Sequence, residues 1–143
     1  MSKQTDNIEH LRQHAKLASE KAHAPYSNFK VGAAIRMHNG DVITGCNVEN
    51  VSYGLSNCAE RTAIFSAIAQ GYSAADMATV VVYTPSDQTY APCGACRQVL
   101  AEFLPADAVV SSTSEGAARH WRVGELLPDA FEFDVEAYRK KTL

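Results

Sequence analysis

Apolar residues at Ile8, Leu11, Ala15, Ala18 and Ala22 recur at steps of three and four, the spacing of one face of an amphipathic helix. Order begins near Asp6, and Pro25 ends the helix because proline cannot continue one. Residues 30–37 and 42–48 read as two strands. The HNGD stretch between them carries an Asn-Gly pair suited to a two-residue hairpin turn, so the strands pair antiparallel. Helical spacing returns at 58–70, where Ala59, Ala63, Ile64, Ala67 and Ile68 share a buried face and Gly71 supplies the stop. The run ATVVVYT at 78–84 is apolar without alternation, as a strand covered on both faces is. A second helix at 94–104 ends before Pro105, a strand follows at 108–112, and RHWRV at 119–123 adds an edge strand. Strand, helix and strand in that order around Val-rich runs imply a parallel crossover. The class is α/β, with helices packed on one mixed sheet.

A chain of 143 residues with 46% hydrophobic content is the size of one ordinary domain with a real core, so 1–143 is expected to be a single domain. The formal net charge is −3 and the 13 Lys and Arg residues form no basic stripe. Nucleic acid is therefore not the expected partner, and small molecules are. No apolar run approaches the roughly 18 residues that span a bilayer, and the first ten residues lack a secretory h-region. No membrane partner and a cytoplasmic location are the expectations. Four cysteines, Cys46, Cys58, Cys93 and Cys96, in a reducing compartment point to metal or catalysis rather than to structural disulfides.

Cys93 and Cys96 form a C-x-x-C at a helix start, where free N–H groups and the positive dipole end favour thiolate. That spacing alone fits a redox couple or two corners of a metal site. NCAERTAIF at 57–65 supplies a second cysteine-bearing helix start, 35 positions before Cys93, which an intervening helix and strand can bring to the same end of the sheet. Three thiolates on zinc leave a fourth tetrahedral position open, which separates catalytic from structural sites. Three thiolates also need positive offsets, and Arg61 and Arg97 each follow a cysteine motif. Glu60, two residues after Cys58, is placed to move protons without ligating the metal. Thioredoxin-like redox chemistry, or a structural zinc site completed by Cys46, is the rival reading. The five histidines show no spacing that meets the cysteine motifs.

NCAERTAIF together with PCGACRQ resembles the cytidine deaminases, in the short-chain form whose zinc is held by three cysteines. APYSNFKVGAA at 24–34, GCNVENVSYG at 45–54 and ELLPDAF at 125–131 resemble the same family in the same order, so the likeness covers nearly the whole chain. It implies a three-layer α/β/α fold with one mixed five-stranded sheet. It also implies one Zn²⁺ per subunit on Cys58, Cys93 and Cys96, with Glu60 as the catalytic acid and base. Phe29 is implied to pack near the pyrimidine, Ala59 to contact substrate, and Asn47 and Glu49 to bind the ribose hydroxyls. Phe131 is implied to reach a neighbouring subunit's site, hence a homotetramer. Independently of family, Asn47 and Glu49 alternate at a strand end and so face alike. The implied reaction is hydrolytic deamination of cytidine and 2′-deoxycytidine, with modified cytidines as further substrates. A nucleoside antibiotic of the blasticidin S type is the alternative substrate, and a noncatalytic zinc or thiol protein the alternative class.

Overall fold

The computed structural model describes residues 3–142. Helix α1 (Lys3–Ser19) is followed by strands β1 (Gly32–Met37) and β2 (Val42–Cys46), helix α2 (Ala59–Ala69), strand β3 (Met77–Tyr83) and helix α3 (Gly94–Phe103). Strands β4 (Val109–Thr113) and β5 (Ala118–Arg122), the short helix α4 (Val123–Leu126) and helix α5 (Val135–Thr142) complete the order. One mixed sheet runs β2-β1-β3-β4-β5, with β3 and β4 parallel and every other pair antiparallel. The parallel pair is the crossover through α3 that the Val-rich runs predict.

Alternation along the central strands divides the core into two. Ala34, Val81 and Tyr83 pack with Leu11 and Ala15 of α1 on one face. Ala33, Ile35, Met37, Val80 and Val82 pack with Ala63, Ile64, Ala67 and Leu100 of α2 and α3 on the other. This is the three-layer α/β/α arrangement. Both helical layers lie close against glycines: a Cβ on Gly32 would stand 1.8 Å from the Ala15 carbonyl oxygen, and one on Gly45 2.3 Å from the Ala63 nitrogen. Gly45 thus lets α2, with its cysteine at the start, lie directly on β2.

Several boundaries differ from the sequence reading. Helix α1 begins at Lys3, before Asp6, and ends at Ser19, not at Pro25. Three successive i→i+3 bonds, from Glu20, Lys21 and Ala22 to Leu17, Ala18 and Ser19, tighten the chain off the helix. The hairpin has a three-residue loop, 38–40, rather than two. Gly40 N–H donates to Met37 and Met37 N–H to Asp41, and only Gly40 takes a positive φ, +95°. That is a type I turn closed by a glycine bulge. Strand β2 stops at Cys46, and Val48 forms isolated bridges to His23 and Asn57 instead. Ile68 is 42% exposed, and the buried face of α2 is Ala59, Glu60, Ala63, Ile64 and Ala67. The stripe is narrower than the apolar spacing predicts, leaving Ile68 at its edge, and it includes a carboxylate, Glu60, near its middle.

Candidate active site

Helix α2 runs into β3, and α3 leaves it. Both helix N-termini therefore lie beyond the carboxyl end of β3, where open α/β sheets bind ligands. Cys58 is the N-cap of α2 and Cys93 the N-cap of α3, both extended, and neither side chain caps its own helix. The sulfurs are free to face one another. Cys58 Sγ and Cys93 Sγ are 3.7 Å apart, and all three sulfurs of Cys58, Cys93 and Cys96 lie within 4.8 Å of one another. A tetrahedron with Zn–S bonds of about 2.3 Å has edges of about 3.8 Å, so the three sulfurs fit zinc with a fourth position open. Cys46 stands outside this cluster, which removes the structural site that it would have completed.

The electrostatics follow from the crowding. The Cys58 thiol is lowered to about 5, first by its hydrogen bond with Cys96 and then by Arg61. Cys96, fully buried, is raised by the same bond and by burial. The two thiols are pushed in opposite directions because a thiolate on one disfavours a thiolate on the other. Arg61 Nη2 donates to Cys58 Sγ at 3.3 Å, and that contact raises the guanidinium further above its ordinary value. Arg97 bonds elsewhere: Nε donates to the Pro92 carbonyl at 2.7 Å and Nη1 to the Leu126 carbonyl at 3.1 Å. It therefore ties down the segment entering Cys93 rather than touching a sulfur. Glu60 is 6% exposed, with its carboxyl close to the Cys96 thiol. Burial raises its pKa above the ordinary 4.5, and the Cys58 charge adds to the rise.

A second group of residues lies alongside. Val48 exchanges backbone hydrogen bonds with Asn57, the residue before Cys58, while Glu49 N–H and Asn47 C=O bond with His23. Residues 23, 47–49 and 57 are thereby laced together next to the metal cluster. Asn47 uses both ends of its amide on the chain: Oδ1 accepts from Val31 N–H and Nδ2 donates to the Phe29 carbonyl, each at 2.8 Å. Glu49 accepts from the N–H groups of Tyr26 and Ser27 and from the Ser27 hydroxyl, which holds its carboxyl below the usual range. It borders a cavity of about 270 Å³ lined also by Tyr26, Tyr53 and Ser56. Asn28, at φ +55°, turns the chain into Phe29; asparagine is among the residues that tolerate this left-handed region. Ala59 is wholly buried at the first position of α2, where its backbone N–H is one of the helix-start donors without an intrahelical acceptor. Phe131 is 77% exposed, its carbonyl accepting from Gln98 Nε2.

The sequence reading passed over Ser27, Asn28 and Tyr90, whose ring lies edge-on to Phe29. Their contacts carry no periodic signal, although a lone aromatic three residues before the first C-x-x-C cysteine was a cue to Tyr90.

Three thiolates with an open position and a buried carboxylate beside them define a zinc-dependent hydrolytic enzyme. Residues 5–112 match the cytidine and deoxycytidylate deaminase zinc-binding region, and the chain belongs to that deaminase family. A cytidine deaminase of Halalkalibacterium halodurans is 50% identical over 115 residues, 80% of this chain and 86% of that one. One from Sporosarcina psychrophila is 41% identical over 133 residues, 92% and 96% of the two chains. The crystal structure of cytidine deaminase from Burkholderia pseudomallei superposes with a TM-score of 0.83 at 51% identity, covering 92% of this chain and all of that one.

Proposed function

We propose that this protein hydrolyses cytidine and 2′-deoxycytidine to uridine and 2′-deoxyuridine with release of ammonia, in cytoplasmic pyrimidine salvage. Residues 1–143 act as one catalytic domain. The observation that carries the reading is Glu60: a buried carboxylate of raised pKa, two residues from Cys58 on α2 and close to the Cys96 thiol of the three-cysteine cluster. A structural zinc knuckle has no use for such a group.

Cys58, Cys93 and Cys96 hold the metal. Zinc, when bound, supplies Lewis acidity that makes water a competent nucleophile near neutral pH. Glu60 accepts one proton of the attacking water and delivers it to ring N3, then takes the proton of the new C4 hydroxyl and passes it to the amine, so that the C4–N bond breaks, ammonia leaves and the C4 carbonyl forms. Its raised pKa suits it to both halves of that transfer, and such catalysis is worth about 10²–10⁴-fold. Arg61 offsets the negative charge of the sulfurs. The Ala59 N–H, at a helix N-terminus, suits a carbonyl oxygen of the base.

Glu49 receives the ribose hydroxyls. Its carboxylate already accepts three donors from the 26–27 segment, which leaves roughly one of about four lone-pair sites for the sugar. Asn47, with both amide ends held by the chain, shapes the segment that carries Phe29 against the pyrimidine. Phe131, exposed in the single chain, completes a neighbouring subunit's site in a homotetramer.

The test is ultraviolet-monitored turnover of cytidine and deoxycytidine by zinc-loaded protein, with ammonia quantified. Uridine and ammonia in equal amounts are expected. A zinc-loaded protein that leaves both nucleosides unchanged contradicts the reading.

A further inference from the structure

Phe29 joins the two groups of residues described above. Its backbone belongs to the Asn47 and Ser27 side: the N–H donates to Ser27 Oγ at 3.1 Å and the carbonyl accepts from Asn47 Nδ2 at 2.8 Å. Its ring faces the other way, toward the loop that ends in Cys93, and meets the ring of Tyr90 there. The centroids are 5.9 Å apart and the planes 86° from parallel, the edge-to-face geometry that the ring quadrupoles favour. Half-buried Phe29 has no second ring contact among the described residues.

Tyr90 is 51% exposed, yet its backbone is fixed. The fully buried Ser112 donates its hydroxyl to the Tyr90 carbonyl at 2.5 Å, and Arg97 holds the Pro92 carbonyl two residues on. Upstream, Ser86 and Gln88 bond to each other, and Glu115 N–H donates to the Ser86 carbonyl. A long loop pinned at this many points presents its aromatic ring in one place. The Tyr90 hydroxyl itself makes no hydrogen bond among the described residues, so what the position supplies is the ring.

We infer that Tyr90 is a positioning residue for substrate: its ring braces Phe29 edge-on and holds that ring in the orientation that receives the pyrimidine. This rests on Phe29 being the pyrimidine wall, as proposed above. The role is uniform binding rather than chemistry, so it is read in KM and not in kcat.

The experiment is steady-state cytidine kinetics with zinc content on the wild type, Phe29→Ala, Tyr90→Ala, Tyr90→Phe and the double alanine variant. Tyr90→Ala is expected to raise KM about 3–10-fold with kcat within about twofold and zinc unchanged, and Tyr90→Phe to restore KM. The double variant is expected to match Phe29→Ala alone, because a brace has no effect once its load is gone. If Phe29→Ala raises KM and Tyr90→Ala does not, the inference is wrong while Phe29 keeps its role. Two effects that multiply in the double variant also overturn it, since Tyr90 then acts independently of Phe29. Loss of zinc or of kcat in Tyr90→Ala marks a merely structural residue and overturns it too. If Phe29→Ala leaves KM unchanged, Phe29 is not the pyrimidine wall, and the inference falls with it.

Discussion

The end of the site at the three cysteines and the end at Glu49, proposed above to take the metal and the sugar, are built differently. At the metal end, Cys96 and Glu60 are buried, both helix N-caps are cysteines, and the three sulfurs come together within one chain. At the sugar end, Glu49 borders a cavity whose walls include the exposed Tyr26 and Tyr53, and Phe131 stands out in solvent. The difference teaches a division of labour. Bond-breaking chemistry needs groups fixed in a water-poor setting, whereas recognition tolerates walls that close only when a nucleoside or another subunit arrives. Substitutions at the two ends should therefore fail in different kinetic constants.

The largest effect is expected from Cys96→Ala. With one of three thiolates removed, zinc measured on purified protein falls well below one per chain, and turnover drops by more than about 10⁴-fold. Retained zinc with retained turnover would mean that the ligand set is misassigned. At the other end, Phe131→Ala is expected to raise KM for cytidine by about 10-fold, as loss of one aromatic wall does, with zinc content unchanged. A fall in kcat without a change in KM would place Phe131 in the chemistry and erase the distinction between the ends.

The smallest effect concerns stability. Glu60 has a folded-state pKa raised by burial above its ordinary 4.5, so between those two values the folded protein binds the proton more than the unfolded chain does. Its contribution to stability is then fully present below about pH 4.5 and is lost as pH rises through the folded-state value. In zinc-free protein, the melting temperature of Glu60→Gln minus that of wild type should grow as pH rises through this window. Parallel curves would show that the carboxylate is not desolvated.

The sequence carried the metal end more fully than the sugar end, and the reason is physical. Ligand chemistry demands particular residue types at fixed offsets from a helix start, so Cys58, Cys93 and Cys96 were legible before their sulfurs were placed within 4.8 Å of one another. The five strands and the parallel crossover were legible from apolar runs. Apolar periodicity misassigned the face of α2, because it counts Ile68 as buried and cannot register Glu60, which is buried for reasons other than hydrophobicity. It also could not show that Arg97 bonds to the Pro92 and Leu126 carbonyls, or that Phe29 meets Tyr90. Such contacts join residues distant in the chain and leave no repeating mark. The hairpin shows the same limit at short range: Asn-Gly located the turn, but the hydrogen bonds of Met37 and Gly40 set its length.

The most direct measurement is zinc content and cytidine turnover determined on one preparation of Glu60→Ala. If Glu60 carries protons and holds no metal, the variant keeps about one zinc per chain while kcat falls about 10²–10⁴-fold. Turnover close to wild type, or loss of the zinc along with the activity, would contradict that assignment.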